Sequence, residues 1–223
     1  MEGDTAHHLG RVLRAQPGQL YELSDGHRVR LGRIERVARD RVDFALLEEI
    51  PAHTSAIDVT LLLSIVKFDA FEWAIEKATE LGVSTIVPLA AARSDKALLA
   101  AAGKRAERWR KLLAEASQQS RRVRVPALQG VLQPTQAFSV TAAGSKIILS
   151  EQPDAPAFRR ALRGDPASKQ AILAIGPEGG WTDAELSTAR TQNFREASLG
   201  KLILRTETAV AAALASINYA LGD

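Results

Sequence analysis

The chain of 223 residues lacks cysteine altogether, and only 5% of its residues are aromatic. Without cysteine, the chain has no disulfides, thiolate catalysis, iron–sulfur clusters or cysteine-ligated zinc. The four histidines all lie within the first 53 residues. The rest of the chain therefore has no imidazole for acid–base work or metal binding, and the predicted chemistry uses no metal.

The sequence also lacks the marks of membrane insertion and export. It has no apolar run of roughly 18 residues. Its first residues, Met1-Glu2-Gly3-Asp4, have neither the basic start nor the apolar segment of a signal peptide. We predict a cytoplasmic protein with no membrane partner. The formal net charge of +3 and the pI near 9.4 favour an anionic partner such as RNA, but only weakly.

Two patterns divide the chain into a predicted β domain at 1–60 and a predicted α/β domain at 61–223. In the first, alternating segments predict strands at 19–24, 27–34 and 41–48, with Asp25-Gly26 as a two-residue hairpin turn. In the second, short apolar strands alternate with helices, which is typical of a mostly parallel sheet. The strands there are predicted at 58–66, 84–89, 146–150, 170–175 and 196–199, and the helices at 69–81, 104–122, 156–163, 183–191 and 206–221.

A glycine-rich loop, Gly176 to Trp181, follows the predicted strand at 170–175. Thr182 and Glu185 have the spacing of a capping box, which fixes the start of the next helix. Ligands of open α/β sheets bind beyond the carboxyl ends of strands, where glycines allow close backbone approach. The spacing is not that of a dinucleotide or P-loop motif, so a nucleotide-like ligand without pyrophosphate and a merely structural turn are both open.

Two further segments bear on function. Leu199 to Ala209 again leads from a strand end through a glycine into a helix, for which Thr206 is a plausible cap. On the helix predicted at 104–122, polar residues recur at three- and four-residue steps and share one face. This face is either simply solvated or a contact for an RNA backbone, and the nearby Arg93, Arg121 and Arg124 favour RNA.

Four ordered motifs in the chain resemble the RsmE family, the 16S ribosomal RNA uridine N3-methyltransferases of the SPOUT superfamily. They are Phe71 to Val83, Glu115 to Arg122, Ile175 to Trp181 and Leu199 to Ala209. His7 to Arg14 is similar to the N-terminal signature of that family, so the resemblance extends over nearly the whole chain.

The resemblance implies a PUA-like β-barrel that helps to grip RNA, followed by a SPOUT-type α/β domain with helices on both faces of a trefoil-knotted parallel sheet. It also implies a homodimer that methylates 16S rRNA within the small ribosomal subunit, with S-adenosylmethionine as methyl donor. Family members usually begin with a further Arg-x-Phe-type strand, which is missing before His7. Either the barrel has one strand fewer or the sequence is shortened.

Residues are predicted for each of the two ligands, and those for the methyl donor follow from matching of the motifs. The methyl donor is expected to contact Leu149, Ser150, Ile175, Gly176, Glu178, Gly179, Leu199, Leu202, Ile203 and Leu204. RNA is expected to contact His8, Arg11, Arg14, Arg93, Lys104, Arg108, Gln119 and Arg122.

Methylation of uracil N3 requires that its proton leave. A cation beside the uracil carbonyls stabilises the developing anion, and a carboxylate accepts the proton. Our hypothesis is that Arg205 and Arg122 supply the cation and that Glu207 is a weaker candidate for the base, since it is also suited to stabilise a helix N-terminus. The alternatives are methylation of another rRNA or tRNA site, and a non-catalytic RNA-binding assembly factor.

Overall fold

The structure is a computed structural model that describes residues 1–52, 55–139, 144–162 and 169–222. It divides into two compact units, Met1–Thr54 and Ser55–Asp223. The division comes before the predicted boundary at 60/61 because Ile57 and Val59 already belong to the core of the second unit.

The first unit is a three-stranded antiparallel sheet in the order β1-β2-β3, with strands β1 (Leu20–Ser24), β2 (Val29–Val37) and β3 (Val42–Ile50). A short helix α1 (Asp4–His7) and a π-helical turn (His8–Val12) precede it. Leu9 and Ile34 lie in its small apolar core. The sheet fits the three predicted strands, but the closed PUA-like barrel is not confirmed.

The first hairpin differs from the prediction. Ser24 pairs with Val29, so the loop has four residues rather than the two of Asp25-Gly26. The Asp25 carboxylate accepts hydrogen bonds of 2.8 Å from the backbone N–H groups of His27 and Arg28. These bonds stabilise a wider turn than the Asp-Gly pair alone predicts.

The second unit contains six strands and six helices in the described residues. The strands are β4 (Asp58–Ser64), β5 (Thr85–Leu89), β6 (Ala127–Leu128), β7 (Ser145–Leu149), β8 (Gln170–Ile175) and β9 (Arg195–Ala197). The helices are α2 (Phe68–Glu80), α3 (Lys96–Gln119), α4 (Pro134–Phe138), α5 (Phe158–Leu162), α6 (Asp183–Thr191) and α7 (Thr206–Leu221).

The strands of this unit form one sheet in the order β6-β5-β4-β8-β7-β9, with every neighbouring pair parallel. Along β4, Leu61 and Leu63 enter one apolar core and Leu62 enters another. The first core includes residues of α2, α3, α5 and α7, and the second includes residues of α4 and α6. The predicted α/β class, with helices on both faces of a parallel sheet, is confirmed, whereas the trefoil knot is not.

Two predicted caps, Asp69 and Thr206, and the predicted start of the helix at 104–122 are wrong. Lys67 is the N-cap of α2, and Asp69 lies inside the first turn, where its charge favours the helix N-terminus without capping it. Helix α3 begins at Lys96, well before the predicted residue 104, because the Asp95 carboxylate accepts hydrogen bonds from Ala97 and Leu98. Arg205 is the N-cap of α7, and Thr206 is its first residue.

Two further elements have bounds that differ from the predicted ones. Helix α5 begins at Phe158 instead of residue 156, and residue 163 of the predicted helix lies outside the described residues. Strand β9 ends at Ala197 instead of 199, and the chain turns immediately through Ser198 and Gly200. In the described ranges, no helix has both the length and the apolar character needed to span a bilayer.

Candidate active site

Three adjacent strands, β7, β8 and β9, end beside one another at the carboxyl edge of the sheet. The segments that follow them enclose a pocket of about 740 Å³, a size common for small-molecule sites. The ten residues predicted to contact the methyl donor all line this pocket, and they are Leu149, Ser150, Ile175, Gly176, Glu178, Gly179, Leu199, Leu202, Ile203 and Leu204. The fold thus brings together residues that the sequence separates widely.

The glycine-rich loop is held to its neighbours by side chains at both ends. The indole N–H of Trp181 donates to the Leu149 carbonyl over 2.9 Å, and the Thr206 hydroxyl donates to the Gly176 carbonyl over 3.2 Å. A Cβ on Gly176 would lie 3.1 Å from the Trp181 ring, so this glycine allows the indole to pack against the backbone. Gly180 has a φ of +70°, which a residue with a side chain rarely adopts.

The predicted capping box after the loop is confirmed. The Thr182 hydroxyl accepts from the Glu185 backbone N–H, and the Glu185 carboxylate accepts from the Thr182 backbone N–H. The start of α6, and with it the exit of the glycine-rich loop, is therefore fixed by local hydrogen bonds.

The last segment around the pocket, 198–205, begins with a polar turn and continues with exposed apolar side chains at the edge of the pocket. The Ser198 hydroxyl donates to the Gly200 carbonyl over 2.9 Å, and Gly200 has a φ of +140°. Leu202 and Ile203 line the pocket and yet are 83% and 81% exposed. Such large apolar side chains provide a surface that an aromatic ring or another chain can cover.

Arg205 and Glu207 flank the pocket without lining it, although Leu204 and Thr206 do line it. The Arg205 side chain is 85% exposed, and its guanidinium lies 4.0 Å from the Glu207 carboxylate. An exposed cation at the rim of a pocket is free to approach a polar substrate. Their catalytic roles stay predictions.

Arg122 lies elsewhere and is already engaged, which argues against the predicted catalytic and RNA-contact roles. It follows α3 instead of belonging to it. Its guanidinium donates hydrogen bonds of 2.7 Å to the carbonyls of Thr79 and Val83, at the end of α2. Burial lowers the pKa of Arg122 from its ordinary value. These contacts give Arg122 a structural role, because the C-terminal carbonyls of a helix need donors.

The other predicted RNA contacts fall into three groups. His8, Arg11 and Arg14 are exposed in the first unit, and Lys104 and Gln119 are exposed on α3. Arg108 is exposed on α3 and pairs with the buried Glu72 at 2.8 Å, a carboxylate that also lies 3.4 Å from Arg105. Arg93 lines the pocket and donates to the Gly179 carbonyl over 2.8 Å. RNA binding by this set stays a prediction.

After β7 the sequence singled out Ser150 but not Glu151, Gln152 and Pro153, which also line the pocket. No motif or periodicity marks these residues. Only the pairing of β7 between β8 and β9 brings them to the same edge. Across the described residues, no cluster of histidine, aspartate and glutamate has the form of a metal site.

The chain is similar to known proteins over most of its length. The model of the RNA methyltransferase domain family matches residues 53–218. The ribosomal RNA small subunit methyltransferase E of a Synechocystis species is 35% identical over 96% of this chain and 71% of its own length. The Bacillus subtilis protein of the same name is 34% identical over 97% of this chain and 88% of its own.

Two solved structures are similar to this chain over its whole length. The Neisseria gonorrhoeae ribosomal RNA small subunit methyltransferase E, bound to S-adenosylmethionine, has a TM-score of 0.91 at 30% identity and covers 100% of this chain and 92% of its own. A Legionella pneumophila protein in complex with the same cofactor has a TM-score of 0.87 at 29% identity with the same coverage. The family model, the relatives and the four motifs agree, and the chain belongs to the ribosomal RNA small subunit methyltransferase E (RsmE) family.

Proposed function

We propose that this chain transfers a methyl group from S-adenosylmethionine to N3 of a specific uridine in 16S rRNA of the small ribosomal subunit. The observation that carries the proposal is the single pocket that gathers all ten residues of the expected methyl-donor site. The relatives named as small subunit methyltransferases support a ribosomal RNA substrate, and the two similar structures with bound S-adenosylmethionine support this methyl donor.

The residues around the pocket fit this cofactor chemically. Gly176 and Gly179 line the pocket without side chains and so allow a base to approach the backbone closely, and Leu202 and Ile203 offer apolar contact to its ring. When bound, S-adenosylmethionine supplies an electrophilic methyl group on a sulfonium, which requires neither a metal nor a covalent enzyme intermediate. The residues of the chain then have to bind the cofactor and the uridine, orient the two, and accept the proton of uracil N3.

The nucleophile in this proposal is uracil N3, which becomes reactive when its proton leaves. Arg205, exposed at the rim, stabilises the negative charge that develops on the uracil carbonyls. Glu207 is the candidate proton acceptor, because its carboxylate lies 4.0 Å from the Arg205 guanidinium at the rim of the pocket. Placing both reactants in one pocket contributes the remaining rate enhancement. The uridine has to be single-stranded or flipped out to reach the pocket.

A homodimer belongs to the same proposal. Beside the pocket, an apolar groove is lined by Leu162, Leu199 and Leu221, and the neighbouring Tyr219 on α7 is 93% exposed. The groove shares Ser198 and Leu199 with the pocket, which suits a second copy seated next to the cofactor. Sedimentation should give a dimer for the wild type, and Tyr219→Glu should shift it towards the monomer.

The decisive experiment is methyl transfer from labelled S-adenosylmethionine to small ribosomal subunits and to naked 16S rRNA, followed by mapping of the modified nucleotide. The expected product is N3-methyluridine at one position of 16S rRNA. Label at another rRNA or tRNA site would contradict the proposed specificity. Absence of cofactor binding at millimolar concentration would instead favour a non-catalytic RNA-binding factor.

A further inference from the structure

The turn between β5 and α3 touches the glycine-rich loop region at two points. The backbone N–H of Ala92 donates to the Glu185 carboxylate over 2.9 Å. The guanidinium of the next residue, Arg93, donates to the Gly179 carbonyl over 2.8 Å. One turn therefore contacts the middle of the loop and the helix that follows it.

Glu185 is buried, and both oxygens of its carboxylate accept hydrogen bonds. The residue is only 7% exposed. One oxygen accepts from Ala92, and the other accepts from the backbone N–H and the hydroxyl of Thr182, each over 2.8 Å. An ionised carboxylate only accepts hydrogen bonds, so it suits three converging donors, and its burial makes each of these bonds stronger.

The turn that makes these contacts is itself fixed to the sheet and to α3. The buried Ser94 hydroxyl donates to the Ile65 carbonyl, just beyond β4, over 2.8 Å. The Asp95 carboxylate caps α3. Because the turn is anchored at both ends, its hydrogen bonds to Gly179 and Glu185 hold the loop against a rigid part of the fold.

We propose that Glu185 and Arg93 are positioning residues that hold the loop Gly176–Trp181 in the shape required for the methyl donor. This inference rests on the proposed function, since it concerns the same pocket. Glu185 acts through Thr182 and Ala92, and Arg93 acts through the Gly179 carbonyl. Arg93 thereby receives a role in cofactor affinity, in place of a role limited to the RNA backbone.

The sharpest substitution is Glu185→Gln, which keeps the size of the side chain. One carboxylate oxygen becomes an NH₂ group, so a donor faces the donors of either Ala92 or Thr182. We expect the affinity for S-adenosylmethionine, measured by calorimetry without RNA, to fall by about 10- to 100-fold. The conservative variant Thr182→Ser retains the hydroxyl and should stay within about twofold of the wild type.

Arg93→Gln tests the second contact on an exposed side chain, where folding is not at risk. It should weaken cofactor binding by about tenfold, and Arg93→Lys, which keeps one cationic donor, should restore part of the loss. The matched control is Arg110→Gln, which removes the same charge from an exposed site on α3 outside the pocket lining. Thermal unfolding of every variant reports on the integrity of the fold.

The outcomes separate this inference from the proposed function. Wild-type protein that binds S-adenosylmethionine, with Glu185→Gln and Arg93→Gln both within twofold of it, would overturn the positioning role alone. If Arg93→Gln changed only the salt dependence of RNA binding, Arg93 would be an RNA contact. Wild-type protein without cofactor affinity would overturn the proposed function itself.

Discussion

The indole nitrogen of Trp181 and the carbonyl oxygen of Leu149 form a buried hydrogen bond of 2.9 Å. Both residues line the pocket; Leu149 is the last residue of β7, and Trp181 ends the loop that follows β8. The Trp181 ring also packs edge-on against Phe138 of α4, with ring centroids 5.8 Å apart. The indole therefore joins two walls of the pocket and ties them to the core beneath.

Trp181→Phe should remove this link while keeping an aromatic ring. The Leu149 carbonyl would lose its donor, and we expect the free energy of unfolding to fall by about 1–3 kcal/mol. Binding of S-adenosylmethionine should weaken as well. Urea denaturation and calorimetry measure the two effects. Trp73→Phe, at a 42% exposed position on α2, is the control and should change stability by no more than about 0.5 kcal/mol.

Gly176→Val should abolish cofactor binding. Even a bare Cβ at this position would lie 3.1 Å from Cε2 of Trp181 and 3.2 Å from its Nε1, so valine has to displace the indole. At Gly103 on α3, nothing lies within 4 Å of an added Cβ. Gly103→Val should therefore bind S-adenosylmethionine like the wild type, and equal binding by both variants would contradict close packing at Gly176.

Arg205→Ala should lower kcat by about 100-fold or more, because the cation acts on charge that develops during the reaction. Cofactor affinity should not change, since Arg205 does not line the pocket. Single-turnover methyl transfer together with calorimetry separates the two quantities. An unaltered kcat would show that Arg205 has no catalytic role. Glu207→Gln, measured in the same way, would show whether the carboxylate contributes to kcat beyond its ion pair with Arg205.

Arg122→Met, unlike Arg205→Ala, should lower the stability of the protein and leave kcat unchanged. Loss of its guanidinium leaves the carbonyls of Thr79 and Val83 without a charged donor, and we expect a loss of about 1–3 kcal/mol in unfolding free energy. The kcat of the protein that remains folded should be preserved. Arg110→Met, on the exposed face of α3, serves as control, and a kcat loss specific to Arg122→Met would return this arginine to the catalytic machinery.

Lys104→Gln tests the basic face of α3. If this exposed lysine contacts one RNA phosphate, the slope of log affinity against log salt concentration should become shallower by about 0.7 to 0.9. Affinity for S-adenosylmethionine should not change. Filter binding over a range of salt concentrations measures the slope, and an unchanged slope would mean that the face is only solvated.

Local sequence patterns predicted local structure well. The strand at 170–175 and the helices at 183–191 and 206–221 have the predicted bounds. The capping box of Thr182 and Glu185 also formed as expected, because its partners are three residues apart. Such features depend on side chains that are close in the chain.

Features that depend on distant partners could not be predicted in this way. The chemistry of uracil methylation suggested a cationic role for Arg122, whereas its guanidinium donates to the carbonyls of Thr79 in the last turn of α2 and of Val83 just after that helix. Glu185 was identified as part of a capping box, but its hydrogen bond to Ala92 joins the first turn of α6 to the turn before α3. These contacts follow from strand order, which neither periodicity nor motif spacing reveals.

The position of β4, with β5 on one side and β8 on the other, has a consequence for how the chain folds. The half of the sheet formed by β6, β5 and β4 leaves the ribosome first, and one edge of β4 has no partner until residues 170–175 have been made. Parallel pairing between such distant segments is slow, and the open edge invites association with other chains meanwhile. The pocket cannot exist before this pairing, so cofactor binding marks completion of the sheet.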